Sequence, residues 1–148
     1  MMKTRNEILK EIKPFFDIDE LVCDHTYKRF GQKAWDFLDT EYLHCLLVIR
    51  RDILRKPMWC NSSSQHQRGL RCNLCPLVKE KKVAYISAHI QGKAGDFTVQ
   101  GMSAEEARKR IKEMADLLPY SIRLEAGVSW LHFDVRNYTG NKVIEFTE

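Results

Sequence analysis

Ser121-Ile122-Arg123-Leu124-Glu125-Ala126-Gly127-Val128-Ser129-Trp130-Leu131-His132-Phe133-Asp134-Val135 is the stretch on which the fold turns. Ser121–Glu125 and Ser129–Val135 read as strands, and Ala126-Gly127 lies between them. That is the pattern of a hairpin. Successive side chains of a strand point to opposite faces, so His132 and Asp134 share one face with Trp130 beside them.

The chain on either side supports a mixed architecture. Upstream, Ser103-Ala104-Glu105-Glu106 has the form of a capping box, so a helix starts there. Its apolar stripe is Ala107, Ile111, Met114 and Leu118, and Pro119 ends it. Met58-Trp59-Cys60, Val83–Ser87 and Asp96–Gln100 read as strands, and Val143–Phe146 as an added edge strand. The N-terminal third is helical: Glu7–Ile12 closed by Lys13-Pro14, then Asp19–Arg29 stopped near Gly31, then a long helix from about Trp35 to Leu54. In that last helix Leu38, Tyr42, Cys45, Leu46, Ile49 and Ile53 recur at helical spacing and make one buried face. Asn61-Ser62-Ser63-Ser64-Gln65-His66-Gln67 is a polar loop. Helices first, then strands with one packed helix, define an α+β fold with a small antiparallel sheet. A single domain spans residues 1–148, with a helical portion up to about residue 55 and the remainder carrying the chemistry.

Composition narrows the function. With 148 residues, 44% hydrophobic and 30% charged, the chain is an ordinary globular domain and neither disordered nor fibrous. No apolar run approaches the ~18 residues of a membrane span. The polar start Met1–Glu7 lacks the apolar stretch of a Sec signal, so synthesis without Sec export, in a cytoplasm, is expected. A net charge of +4 suits an anionic partner, but the basic residues are scattered and form no stripe for a nucleic-acid groove.

The second informative stretch is Ser87-Ala88-His89-Ile90-Gln91-Gly92-Lys93-Ala94-Gly95-Asp96. A histidine precedes a turn with two glycines, and an aspartate follows at the start of a strand. Together with Trp130-Leu131-His132-Phe133-Asp134, the sequence offers two imidazoles and a carboxylate. Such a set holds zinc and leaves a fourth position open for water, whose pKa the metal lowers to near neutral.

Ser-x-His-x-x-Gly-x-Ala-x-Asp followed by Trp-x-His-x-Asp resembles the signature of the zinc D-Ala-D-Ala carboxypeptidase family, which includes VanX-type dipeptidases, phage L-alanyl-D-glutamate endolysins and the hedgehog signalling-domain fold. Ser87, His89, Gly92, Ala94, Asp96, Trp130, His132 and Asp134 match in order, and the likeness covers roughly residues 40–136. It implies a hedgehog/DD-peptidase-like fold, one catalytic zinc held by His89, Asp96 and His132, and cleavage of peptidoglycan stem peptides. Ser87 and Trp130 become candidate substrate contacts. The family also carries an arginine before the first histidine, which binds the substrate carbonyl or carboxylate. Arg71, followed by Asn73, fits that place best, and Arg68 is the second choice.

The base departs from the pattern. Many relatives have Glu or Asp three residues before the second histidine, where this chain has Ser129. Hedgehog-like members place a Glu further upstream, which points to Glu125, and a hairpin can fold it back over the metal. Asp134 is expected to orient an imidazole. The leading expectation is therefore a zinc peptidase, either phage-borne and reaching the wall through a membrane pore or a cytoplasmic dipeptidase. The alternative is a catalytically impaired zinc-binding module that holds a wall peptide or a protein partner.

Five cysteines in a reducing compartment do not make a disulfide framework. Cys23, Cys45, His25 and His44 read as core or helix-surface residues. Cys60, His66, Cys72 and Cys75 read as plain thiols and a loop histidine, or else as a structural Cys₃His zinc site pinning the loop that bears Arg71.

Overall fold

The computed structural model describes residues 2–62 and 65–148. Ser63 and Ser64, the middle of the expected polar loop, lie outside the described residues.

Helix α1 (Arg5–Ile12) begins at Thr4, whose side chain accepts the Glu7 amide, and it buries Ile8 and Ile12. The expected helix over 19–29 is two pieces, α2 (Ile18–Leu21) and α3 (Asp24–Phe30), broken at Val22. The break has a cause: Cys23 N donates to Leu70 O at 2.9 Å and Leu70 N to Leu21 O at 2.9 Å, so the backbone leaves the helix to bridge a distant segment. The expected long helix over 35–54 is also divided. A 3₁₀ segment (Gly31–Phe37) leads to α4 (Thr40–Val48), capped by Asp39, and a π-helical turn (Ile49–Leu54) follows. The six expected apolar positions are buried, but so is every residue from Tyr42 to Val48, His44 included. A helix enclosed on all sides is a central core element, not an amphipathic surface one.

Among the described residues, five strands form one mixed sheet in the order β1-β2-β4-β3-β5. They are β1 (Met58–Trp59), β2 (Ala94–Val99), β3 (Ile122–Glu125), β4 (Leu131–Asp134) and β5 (Val143–Phe146). The antiparallel expectation holds for three of the four pairings, while β5 runs parallel to β3 at the edge. β4 runs opposite to β3, and the connection 135–142 passes the start of β3 at that same end of the sheet, where Ile122 N donates to Lys142 O at 2.9 Å, so β5 enters in the direction of β3. Val83–Ser87 is not a strand: Val83 and Ile86 are exposed and the backbone is irregular. A short helix α5 (Pro76–Lys79) precedes it.

The sheet's two faces divide the labour. Phe97, Leu124, Leu131 and Phe133 point to the core, where Phe133 stacks on Tyr42 at 5.2 Å and on Phe97 at 6.0 Å. Helix α6 (Ala104–Glu113), capped by the Ser103 side chain as its capping box predicts, buries Ala107 and Ile111 against the same core. The other face carries Asp96, His132, Glu125 and Asp134, all buried polar residues.

Candidate metal centre

Strand register assembles the site. Asp96 pairs with His132 across β2 and β4. Leu124 pairs with Phe133 across β3 and β4, so the next step of that register sets Glu125 beside His132, and Glu125 in turn pairs with Phe146 of β5. One row across the sheet therefore reads Asp96, His132, Glu125, Phe146. The next row on that face holds Asp134 opposite Arg123.

His89 reaches the row from a turn. Its tightness depends on Gly92, at φ +70, where a Cβ would run into the Phe37 carbonyl. The Ser87 hydroxyl accepts the Ile90 amide at 3.3 Å, so Ser87 shapes this turn as well as lining the cavity. Gly69 also has a fixed role: a Cβ there would meet the Leu21 carbonyl, and its own carbonyl accepts from His89 Nδ1 at 2.9 Å.

Both imidazoles engage their outer nitrogen with a fixed acceptor. His89 uses Nδ1 on Gly69 O, and His132 uses Nε2 on Asp134 Oδ2 at 2.8 Å. Asp134 is in turn held by Arg123, with Nε to Oδ1 at 2.8 Å and Nη2 to Oδ2 at 3.0 Å. The inner nitrogens face Asp96: His132 Nδ1 lies 2.7 Å from Oδ1 and His89 Nε2 3.5 Å from Oδ2. Histidines that ligate metals are oriented in this way by a second acceptor. The three ligand atoms of His89, Asp96 and His132 lie within 4.8 Å of one another, a group able to hold a metal ion.

The electrostatics agree. Burial alone would raise Asp96, but hydrogen bonds from His132 and His89 hold its carboxyl well below the usual carboxylate range. Burial disfavours a charged His132, yet Asp134 and Asp96 raise it to about 9.

The row opens on a cavity of about 400 Å³, whose lining includes Arg71, Ser87, Glu125, Trp130 and Arg136. Arg71 anchors Nε on Gln67 O at 2.6 Å and brings Nη2 to 3.7 Å from Asp96 Oδ2. Burial raises the Glu125 carboxyl, with His132 opposing. Arg68 is the candidate the structure leaves outside this lining. Its guanidinium donates to Cys60 O at 2.9 Å and Thr98 Oγ1 at 3.1 Å, a structural tie instead of a substrate contact. Ser129 lines a separate cleft beside α6.

The expected Cys60–His66–Cys72–Cys75 set is corrected. Cys60 is enclosed in the core, beside Gly69, where burial raises its thiol. Cys72 and Cys75 are grouped instead with Cys23 and His25, all four ligand atoms lying within 4.8 Å. The sequence signal for Cys23 and His25 was their Cys-x-His spacing, without meaning until Leu70 is paired with the Leu21–Cys23 backbone. Compared with known proteins, the chain matches no family model, no curated protein and no solved structure.

Proposed function

We propose that the chain is a zinc-dependent metallopeptidase of peptidoglycan stem peptides, with the metal held by His89, Asp96 and His132. The observation that carries this reading is the row Asp96–His132–Glu125, which brings two ligands and a further carboxylate to one wall of one cavity. Two imidazole nitrogens and one carboxylate oxygen are the donor set of an open zinc site, so the residues fit the ion. When bound, zinc supplies Lewis-acid chemistry, acidifying water toward neutral pH and polarising a carbonyl.

The chain's own groups supply the rest. Glu125 takes the proton of the attacking water and delivers it to the departing amine, which is a very poor leaving group as an anion. Burial raises its carboxyl from the ordinary value, with His132 opposing, which is the direction a proton carrier needs. Arg71 offers a positive fork for a developing oxyanion or a terminal carboxylate. Gly69 O and Asp134 keep the two imidazoles in a fixed tautomer. The substrate class follows from the resemblance in motif order, and Arg71, Lys81 and Arg136 around the cavity suit a carboxylate-bearing peptide.

The test combines zinc analysis with digestion of purified muropeptides read by mass spectrometry. Wild-type protein is expected to split the stem peptide. Zinc-loaded protein that binds muropeptides without cutting them replaces this reading with the binding module, and protein whose zinc content is indifferent to His132→Ala removes the metal assignment.

A further inference from the structure

We infer that Cys23, His25, Cys72 and Cys75 form a second, closed zinc site that clamps the Arg71 segment to the N-terminal helices. Cys23 directly precedes α3 and His25 lies in its first turn, while Cys72 and Cys75 bracket the turn before α5. The Val22–Leu70 bridge brings these two distant parts of the chain together. His25 Nδ1 lies 3.7 Å from Cys72 Sγ and 3.9 Å from Cys75 Sγ. Ligands at ~2.3 Å (sulfur) and ~2.0 Å (nitrogen) on a tetrahedral ion stand about 3.5 Å apart, so the spacing is nearer that of a shared metal than of a good hydrogen bond.

Two further observations point to a metal. The cysteines are all free, so no disulfide accounts for the cluster. Each sulfur also has a polar neighbour outside it. Leu74 N donates to Cys72 Sγ at 3.3 Å, Cys72 N donates to Cys75 Sγ at 3.4 Å, and the Thr26 hydroxyl lies 3.0 Å from Cys23 Sγ. Backbone N–H groups aimed at the Cys72 and Cys75 sulfurs are contacts of the kind that support metal-bound thiolates. Three thiolates and an imidazole are soft donors that complete a tetrahedron, which selects zinc in a structural role with no position left for substrate.

Its consequence lies in the next residues. Arg68 O accepts the Asp96 amide at 2.7 Å, Gly69 O accepts His89 Nδ1, and Arg71 N donates to His89 O at 3.3 Å. The segment 68–71 thus supports the His89–Asp96–His132 centre, and Cys72 follows it directly. A metal at the cysteine cluster holds that support and the α5 wall of the cavity in place.

The experiment is cobalt substitution with metal counting on the full chain. Wild-type protein is expected to bind about two ions and to show thiolate-to-cobalt charge-transfer absorption. Cys72→Ser/Cys75→Ser should bind about one and lose that absorption, whereas His132→Ala should bind about one and keep it. A further measurement needs no variant. Alkylation of Cys72, followed by mass spectrometry, should rise at least tenfold when a chelator removes the metal. Cobalt-loaded wild type without thiolate absorption, or equal alkylation before and after chelation, overturns the inference. Failure of the peptidase reading looks different: the thiolate absorption persists while muropeptides stay intact.

Discussion

Asp134 Oδ2 accepts a hydrogen bond from His132 Nε2 at 2.8 Å, two positions back along the same strand, while Arg123 grips the Asp134 carboxylate from β3. An otherwise costly buried carboxylate is thereby neutralised by two donors, and the imidazole is held with its other nitrogen toward Asp96. Asp134→Asn keeps the shape and removes the charge. Zinc affinity at this centre should fall about 10–100-fold, read by competition with a chromogenic chelator. Unchanged affinity would mean that Asp134 does not orient the ligand.

Glu125→Gln should retain fold and zinc while losing roughly 10²–10⁴-fold in muropeptide turnover. Metal content and rate are measured on the same preparation. Activity equal to wild type would sink the assignment of Glu125 as the proton carrier.

The two arginines should separate cleanly. Arg71→Ala is expected to lower kcat/KM by roughly 10²-fold, because its fork faces the cavity. Arg68→Ala should instead lose about 1–2 kcal/mol of unfolding free energy, since its partners are Cys60 O and Thr98. Urea titrations and steady-state kinetics on both variants decide it, and swapped effects would contradict the geometry.

On the opposite face of β4, Phe133 is fully buried between Tyr42 and Phe97. Phe133→Ala should cost about 3–5 kcal/mol through lost contact and a residual cavity. Denaturant unfolding measures it, and a loss under 1 kcal/mol would show that the core closes over the gap.

His44 is buried in α4, its Nδ1 has no hydrogen-bond partner among the described residues, and burial first, then Lys3, lowers its pKa below 6.5, with Glu11 opposing. The unfolded chain therefore binds a proton more readily than the folded one. Stability contributed by the neutral ring is present above pH 6.5 and is lost as the pH falls toward the lowered value. Between pH 7 and pH 5, His44→Phe should lose less Tm than wild type. Parallel melting curves test this, and identical slopes would assign the acid sensitivity elsewhere.

The sequence by itself determined the elements whose signals are local. The Ser103 cap, the alternation of β3 and β4, and the Ser87–Asp96 and Trp130–Asp134 motifs all lie within a few residues, where period and turn chemistry act directly. Alternation put His132 and Asp134 on one face without any knowledge of neighbours. It did not reveal that β2 pairs with β4 so that Asp96 meets His132, that β5 runs parallel to β3, or that 83–87 is not a strand. Those outcomes depend on which distant segments bury their apolar faces together. Cys23 and His25 show the point most sharply. Their Cys-x-His spacing alone does not mark a ligand pair, and it is the backbone bridge from Val22 to Leu70 that carries them to Cys72 and Cys75, because pairing between remote segments is set by the whole core and not by any local pattern.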